Sequence, residues 1–422
     1  MKKVSIILLM VLLLSGMVFA AGTKEAAAAG PQVLKVMLSE EPSSEDALLN
    51  TLKKWAAETG NTLDVMVIPY EDQLTKFPLM ARNNDLPDLL TTTRLSRLYP
   101  DEFLDMAQYF DMSIFEPMAV EIIVQDYKSS KKSILPQQFT ITNVYYNKDA
   151  FARAGITAPT IEKPWALDEL EKNAILLKEK GGVKYGMAMD ASRARYDNMM
   201  YANGGSMVEK DGASFDVAIN SPQNIAALQR FIDWNNKFMP KAIWAGGTTD
   251  NPADYFKNGD VGIYFSGSWN YNSFYNQIKN FKWGVMPSPV GKSASAILGG
   301  SGLGVPANAK NKDLAISFLK WFYTKENFQE YLNRDKGLSS LVGVTYSPLD
   351  AQVAEDYKVL QSEVGKVTYA FSTDESSMWR NFYDNEYRDA MKQAVNGDLT
   401  AAKALNDFAA LLSKKSGWDL KY

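Results

Sequence analysis

The apolar residues between positions 33 and 90 change repeatedly from strand-like to helix-like spacing. Residues 33–38 form a compact apolar run that predicts a buried strand, and residues 63–68 form a second one. Between them, the apolar side chains of residues 48–56 fall on one helical face that ends at a glycine. A helix at 72–81 and a strand at 88–90 complete a third unit. Such repeats predict a mainly parallel α/β sheet, whose ligands bind beyond the carboxyl ends of the strands.

A second α/β region begins near residue 143. A strand at 144–146 is followed by helices at 149–154 and 167–180, and two glycines stop the longer helix. The same periodicities predict strands at 185–189 and 261–265 and helices at 223–238 and 313–323, with helices alone after residue 350. Because 422 residues exceed what one hydrophobic core usually serves, we expect two lobes.

The first residues have the composition of a secretory signal peptide. Two lysines precede an apolar run at residues 4–14, and small residues end the segment at Ala21. The run is shorter than the roughly 20 residues that span a bilayer, so residues 1–21 are predicted to be cleaved, leaving a flexible tether at 22–31. Polar residues interrupt every later apolar segment before it reaches that length.

The sequence contains neither cysteine nor histidine. Their absence excludes disulfides, a lipid-carrying cysteine after the signal, thiol nucleophiles and histidine bases, and it removes nearly all zinc and copper sites. We therefore expect no cofactor or metal, and a mature protein that is free in the periplasm. Removing Lys2 and Lys3 from the 45 basic residues leaves 43 against 49 acidic ones, and this net charge of −6 disfavours nucleic acid as a partner.

A series of motifs along the chain resembles one known family. Tyr-Tyr-Asn-Lys-Asp-Ala-Phe-Ala-Arg-Ala-Gly-Ile at 145–156 is followed by Tyr-Ala-Asn-Gly-Gly at 201–205 and by Tyr-Phe-Lys-Asn-Gly-Asp-Val-Gly-Ile-Tyr at 255–264. Gly-Ser-Trp at 267–269 and Gly-Gly-Ser-Gly-Leu-Gly-Val-Pro at 299–306 complete the series. In this order, the motifs resemble those of the family 1 extracellular solute-binding proteins of ABC transporters.

The resemblance implies a type II periplasmic-binding-protein fold, in which two α/β lobes joined by hinge crossings enclose a ligand cleft. It implies a monomer that binds a mono- or oligosaccharide, catalyses no reaction, and delivers the sugar to the permease subunits of an ABC importer. It divides the chain into a first lobe of residues 32–138 plus 288–335 and a second lobe of 139–287 plus 336–422, with crossings at 136–142, 285–289 and 335–341.

Two tryptophans are candidates for stacking on a sugar ring. Trp269 follows the strand at 261–265, at a carboxyl end where the cleft is expected, and a tryptophan of this motif stacks on the ligand in the family that the chain resembles. Trp379 begins a late helix that resembles a second aromatic platform of the family, and the planar guanidinium of Arg380 suits two sugar hydroxyls. The alternative for both tryptophans is packing in the core, with Arg380 as a surface cation.

Polar candidates are expected on the opposite wall of the cleft and at the crossings, because carboxylates, hydroxyls and amides pair with sugar hydroxyls. For the candidates in the loops after the first and third strands, the alternative is a solvated loop position; the glycines of the motif at 299–306 permit close approach to a ligand or tight turns. The candidates are Glu41 after the first strand, Thr92 and Arg94 after the third strand, Gln138 in the first crossing, Tyr196 and Asp197 before the motif at 201–205, and Gly300 in the glycine-rich motif.

Three other functions use a comparable cleft. Tyr145 and Tyr146 resemble the adjacent tyrosines of ferric-ion binders, but consecutive strand residues point to opposite faces. A polyamine, a peptide or another small solute would suit a cleft lined by acids and aromatic rings. A glycoside hydrolase needs two carboxylates across the sugar ring, whereas Glu40 and Glu41 are adjacent in one loop. Binding of a sugar remains the first prediction.

Overall fold

The computed structural model describes residues 30–69, 72–124, 130–248, 250–348 and 350–422. The predicted signal peptide at 1–21 and most of the predicted tether at 22–31 lie outside these residues. In chain order, the elements up to residue 202 are β1 (Val33–Leu38), α1 (Ala47–Thr59), β2 (Thr62–Val67), α2 (Gln73–Arg82), β3 (Leu89–Thr92), α3 (Arg94–Leu98), α4 (Pro117–Ile123), β4 (Leu135–Asn147), α5 (Lys148–Ala154), α6 (Leu167–Lys180), β5 (Tyr185–Met189) and α7 (Arg193–Ala202).

The elements after residue 202 begin with two strands that form a separate sheet. They are β6 (Val208–Asp211), β7 (Ser214–Val217), α8 (Pro222–Lys237), α9 (Lys241–Ala245), α10 (Pro252–Lys257), β8 (Val261–Gly267), α11 (Asn270–Gln277), β9 (Trp283–Met286), β10 (Leu298–Gly304), α12 (Lys312–Phe322), α13 (Lys325–Asp335), α14 (Ala351–Val364), α15 (Tyr369–Ser377), α16 (Arg380–Asn396) and α17 (Ala401–Ser416). Short 3₁₀ turns lie at Pro100–Glu102, Met106–Gln108 and Met112–Ile114.

The main sheet is built around β4, a strand of 13 residues. Its strand order is β2-β1-β3-β10-β4-β8-β5, and β9 also pairs with β4. The first part of β4 pairs with β10, where Phe139 is opposite Gly300, and its last residues pair with β8 and β9. One strand thus joins a first lobe around β1, β2, β3 and β10 to a second lobe around β5, β8 and β9.

The first lobe follows the predicted strand and helix pattern. β1 pairs in parallel with both β2 and β3. The helix between β1 and β2 begins where the Asp46 carboxylate accepts a hydrogen bond from the Leu49 amide (2.7 Å), and it ends at Gly60 with a left-handed φ of 72°. Its buried face packs on α12, where the rings of Trp55 and Phe318 lie 5.4 Å apart. The apolar spacing therefore predicted this helix correctly.

Apolar packing also connects the two lobes. One buried cluster contains Leu52 and Phe318 of the first lobe together with Tyr264 and Trp283 of the second. Another cluster fills the second lobe, where α7 packs on α8 and α8 packs on the C-terminal helices α16 and α17. Because buried apolar surface is the main favourable term in folding, the shared cluster holds the lobes together beyond their covalent crossings.

Hydrogen bonds tie the crossing segments to one another. Gln138 in β4 donates to the Asp335 carboxylate at the end of α13 (2.8 Å), and Ser301 in β10 donates to Gln137 (2.8 Å). The segment that follows α13 forms a bridge to β4 between Leu338 and Phe139. These four polar side chains of the hinge are therefore satisfied by one another.

The segment before β10 pairs with the second lobe. The Ser288 amide donates to Glu363 of α14 (3.2 Å), and the Ala296 amide donates to the Lys366 carbonyl (3.1 Å). These contacts favour a second crossing at the start of β10 over the predicted one at 285–289. The boundaries of the two lobes along the chain stay a prediction.

Gly186 tests the packing of the second lobe. A Cβ atom at this position of β5 would lie 1.8 Å from the Ala174 carbonyl oxygen in α6. The carbonyl oxygen belongs to the backbone and cannot rotate away, so the helix and the sheet must separate to accept a methyl group. We expect Gly186→Ala to lower the free energy of unfolding in urea by more than ~2 kcal/mol.

Gly365 provides the matched control. Its φ of −73° suits any residue, and no atom lies within 4 Å of a Cβ built there. Gly365→Ala should change the free energy of unfolding by less than ~0.5 kcal/mol. Equal stability of the two variants would contradict the close approach of α6 to β5.

Candidate ligand-binding cleft

A cavity of about 840 Å³ lies between the two lobes. The loops after β1 and β3 line it from the first lobe, and the residues after β5 and β8 line it from the second lobe. β10 and the middle of β4 form its floor at the hinge, and residues of α15 and α16 complete the second-lobe wall. The site therefore lies where the carboxyl ends of the strands meet, as expected for an α/β crevice.

Most of the residues predicted from the sequence reach this cavity. Glu41, Thr92, Arg94, Gln138, Asp197, Trp269, Gly300 and Arg380 line it, whereas Tyr196 and Trp379 do not. Contact between these eight residues and a ligand stays a prediction.

Trp269 is the tryptophan that lines the cavity. It is half-buried, and its six-membered ring lies so close to Gly267 that a Cβ atom there would be 1.7 Å from Cζ3. The guanidinium of Arg195 lies 5.2 Å from the ring centroid, within the range of a cation–π contact. The glycine of the Gly-Ser-Trp motif thus lets the indole fold back over the end of β8, and the arginine fixes its orientation.

Trp379 is a core residue, so its predicted role as an aromatic platform was wrong. It is 1% exposed, and its ring packs edge-on against Tyr387 and Phe408. The guanidinium of Arg193 lies 4.9 Å from its centroid. The preceding residue, Met378, has a left-handed φ of 58°, and this turn between α15 and α16 directs the indole into the lobe.

Tyr196 was also predicted incorrectly. Its side chain is fully buried, and its ring lies 5.2 Å from that of Phe231 in α8. Residues Arg193, Asp197 and Tyr201 of α7 recur every four residues and all line the cavity. A helix places such residues on one face, so Tyr196 falls on the face that packs against α8.

Two charged candidates are held by ion pairs within the second lobe. Asp197 pairs with Arg193 and accepts a hydrogen bond from the Tyr387 hydroxyl (3.1 Å). Burial raises the pKa of Asp197, and the charge of Arg193 opposes this shift. Arg380 pairs with Glu375. The guanidinium and carboxylate groups of these two pairs are therefore held in position by one another.

Gly300 serves the packing of the floor. A Cβ atom at this position would lie 2.1 Å from the Gln138 carbonyl oxygen, and the φ of 154° is rare for other residues. Only glycine lets β10 approach β4 so closely at this point.

The first-lobe wall is a polar network. Ser39 shares a hydrogen bond with the Thr91 hydroxyl (2.8 Å) and accepts one from Gln73 (3.0 Å). The Thr92 hydroxyl accepts from the Leu95 amide (3.1 Å) at the start of α3, so its predicted role in ligand binding competes with helix capping. Burial raises the pKa of Glu40, and the charges of Asp190 and Asp46 add to this shift.

A chain of hydrogen bonds links the two lobes near the third crossing. Asn272 of α11 donates to the Glu45 carbonyl in the loop after β1 (2.9 Å). Lys336 donates in turn to the Asn272 side-chain oxygen (2.7 Å). The backbone of Lys336 is left-handed, with φ of 59°, where it ends α13. This bridge runs from the hinge across the cavity wall to the first lobe.

Several cavity residues escaped the sequence analysis. Arg193 and Arg195 lie in the first turn of the helix that follows β5. Asp335 lies at the start of the third crossing, and Asn272 lies in α11 of the second lobe. Ligands bind beyond the carboxyl ends of parallel strands, and this rule also holds for β5. Applying it to the end of β5 would have found both arginines. No local pattern marks Asn272, because its role depends on the approach of the other lobe.

Two kinds of feature were sought in the part of the chain that the structure describes. No three His, Cys, Asp or Glu side chains lie together there as a metal site. No helix in the same residues has both the length and the hydrophobicity needed to cross a bilayer.

Two α/β lobes that share a strand and enclose a polar cavity define a two-lobed binding protein. The family model of the bacterial extracellular solute-binding proteins matches residues 40–327, more than half of the 422 residues. The chain belongs to this family, as the motifs of the sequence indicated.

Solved structures share the fold over nearly the whole chain. An ABC substrate-binding protein of Listeria monocytogenes in complex with cycloalternan has a TM-score of 0.76 at 21% identity, covering 92% of this chain and 100% of that one. A maltose-bound protein of T. maritima has a TM-score of 0.73 at 19% identity, covering 91% of this chain and 99% of that one. They confirm the predicted two-lobed periplasmic-binding-protein fold.

Curated relatives match a smaller part of the chain. A Brucella abortus protein named only as a binding protein is 24% identical over 280 residues, which are 64% of this chain and 66% of the relative. The sn-glycerol-3-phosphate-binding periplasmic protein UgpB of Shigella dysenteriae is 29% identical over 247 residues, 55% of this chain and 54% of the relative. The matches thus span from about half to just under two thirds of these relatives.

Asp335 makes stability depend on pH. Burial raises the pKa of Asp335 from its ordinary 3.8 to about 6; the hydrogen bond from Gln138 opposes this shift, and the charge of Asp46 adds to it. Between about pH 4 and pH 6 the folded protein holds a proton that the unfolded chain has released. The free energy of unfolding therefore falls as the pH rises through this window.

In Asp335→Asn the amide oxygen still accepts the hydrogen bond from Gln138, but the group no longer titrates. We expect the fall in the free energy of unfolding across this pH window to be smaller than in the wild type by roughly 1–3 kcal/mol. The measurement is urea denaturation of both proteins at intervals from about pH 4.5 to about pH 7.5. Asp64→Asn, at an exposed position of β2, is the control and should keep the wild-type profile. Parallel profiles for Asp335→Asn and the wild type would contradict the assignment.

Proposed function

We propose that the protein is the extracytoplasmic substrate-binding component of an ABC importer that binds a mono- or oligosaccharide and delivers it to the permease. The observation that carries this proposal is the indole of Trp269, which borders the 840 Å³ cavity between the lobes. An indole face suits the C–H groups of a pyranose, and the surrounding amides, hydroxyls and charged groups suit its hydroxyls.

The structural relatives support a carbohydrate ligand. The Listeria monocytogenes protein was solved with cycloalternan and the T. maritima protein with maltose. Both have the same two-lobed fold, and the present cavity combines an aromatic ring with polar side chains from both lobes. A sugar held between the lobes would be desolvated on both sides, which strengthens its hydrogen bonds.

Binding without catalysis fits the arrangement of the acids. Glu40, Glu41 and Asp46 belong to one loop of the first-lobe wall, and Asp197 and Glu375 are ion-paired in the other wall. A glycoside hydrolase uses an acid and a base or nucleophile on opposite sides of one bond.

We infer that the protein is a monomer that acts in the periplasm after cleavage of residues 1–21.

A phosphorylated polyol is a second candidate for the ligand. It is favoured by the relatives that are named sn-glycerol-3-phosphate-binding proteins. A polyamine, a peptide or another small solute is the remaining alternative from the sequence, and the acids of the first-lobe wall are the groups that would bind a polyamine. Isothermal titration with maltose, mannotriose, sn-glycerol 3-phosphate and spermidine separates these three classes.

Trp269→Ala tests the sugar site. Removal of the indole should weaken binding of the tightest-binding saccharide by more than ~2 kcal/mol, about 30-fold in Kd, while the fold survives. The loss comes from the stacking surface, so titration calorimetry and circular dichroism together check it.

Trp321→Ala is the matched control. This tryptophan is also half-buried, but it lies in α12 outside the cavity, where its ring nitrogen donates to Glu58 (3.0 Å). It should leave the saccharide Kd within about twofold of the wild type. Unchanged affinity in Trp269→Ala would remove the indole from the site, and binding of spermidine alone would refute the sugar proposal.

A further inference from the structure

Arg195 is a buried cation in the wall of the cavity. Arg195 is 5% exposed and lies in the first turn of α7, which is the helix that follows β5. One terminal nitrogen donates to the Ser266 carbonyl (2.7 Å) and to the Thr142 hydroxyl (3.3 Å). Its Nε makes no hydrogen bond to any residue that the structure describes. An unused donor on a buried guanidinium is costly unless a ligand satisfies it.

No carboxylate forms a hydrogen bond with Arg195 among the described residues. Asp190 accepts instead from the Tyr264 hydroxyl and from the Ser266 hydroxyl (2.7 Å). Asp197 is paired with Arg193 and with Tyr387. Asp190 and Asp197 are carboxylates whose charges act on Arg195, and both form their hydrogen bonds with other residues.

The electrostatic balance at Arg195 agrees with these contacts. Burial lowers the pKa of Arg195, and the charge of Asp190 only partly offsets that effect. Burial also raises the pKa of Asp190, and the charge of Arg195 opposes that shift. Buried charges are normally paired with a full counter-charge, and this guanidinium lacks one within hydrogen-bonding distance.

The guanidinium of Arg195 lies over one face of the Trp269 indole. The ring centroid is 5.2 Å from the guanidinium carbon, and both residues line the cavity. A sugar ring stacked on the other face of the indole would lie in the same cavity as Arg195. The acids Glu40, Glu41 and Asp46 line the opposite wall, so an anion is disfavoured there and favoured at Arg195.

We propose that the cleft selects an anionic saccharide, whose carboxylate or phosphate oxygens bind Arg195 while its ring stacks on Trp269. This proposal rests on the proposed sugar-binding function and names the chemical class of the ligand. A neutral hydroxyl would use the free donor but leave the charge without a counter-ion. An oxyanion supplies both the hydrogen-bond acceptor and the opposite charge.

The test compares saccharides that differ only in the acid group. Wild-type protein is titrated with glucose, glucuronate and glucose 6-phosphate, with galactose and galacturonate, and with cellobiose and cellobiouronate. The acidic member of at least one set should bind more than about tenfold tighter than its neutral partner. That advantage should shrink as the salt concentration rises from about 50 mM to about 500 mM.

The variants assign the preference to one residue. Arg195→Met should abolish the difference between the Kd values of the neutral and the acidic partner, whatever it does to both, whereas Arg195→Lys should restore part of that difference. Arg230→Met is the control, because Arg230 pairs with Asp168 outside the cavity. If Arg195→Met fails to fold, the comparison of ligands on the wild type and on Arg195→Lys still decides.

The outcomes separate this proposal from the proposed function. Tighter binding of glucuronate or galacturonate supports a carboxylate ligand, and tighter binding of glucose 6-phosphate supports a phosphate. Equal or tighter binding of the neutral sugars overturns the anionic preference and leaves sugar binding intact. If no saccharide of either kind binds, both proposals fail.

Discussion

The structure depends on one strand that belongs to both lobes. β4 pairs with β10 along its first part and with β8 and β9 along its last part, so a continuous ladder of backbone hydrogen bonds runs through the hinge. The glycine at 300 allows the ladder to close tightly, because any side chain there would meet the Gln138 carbonyl. This shared strand fixes where the lobes meet and therefore where a cavity between them opens.

The walls of that cavity are largely held in place by the protein itself. Arg193 and Arg380 are ion-paired, Ser39 is bonded to Thr91, and Gly267 lets the ring of Trp269 fold back. Preorganised side chains lose little conformational entropy when a ligand binds. Arg195 differs from them, since part of its hydrogen-bonding capacity is unused. A ligand gains most from contacts that the protein does not already make for itself.

The sequence predicted what its periodicity encodes and missed what depends on distant parts of the chain. The helix ending at Gly60 and the parallel strand β1 followed from apolar spacing. Trp379 was assigned to the cleft through the resemblance to the family, and no sequence pattern reveals the left-handed backbone of Met378, which turns the indole inward. Tyr196 was misplaced because the choice between two faces of α7 depends on where α8 packs. Trp269 was placed at the cavity correctly because strand direction and the family motif both point to the end of β8.

The bridge from Lys336 through Asn272 to the Glu45 carbonyl has a consequence for solute selectivity. These hydrogen bonds are made between protein groups alone, so any separation of the lobes at this edge must break at least one of them. The bridge therefore favours apposed lobes by an amount that does not depend on which solute is bound. Loss of the bridge alone would change the balance between separated and apposed lobes equally for every solute, and would leave the order of their affinities unchanged.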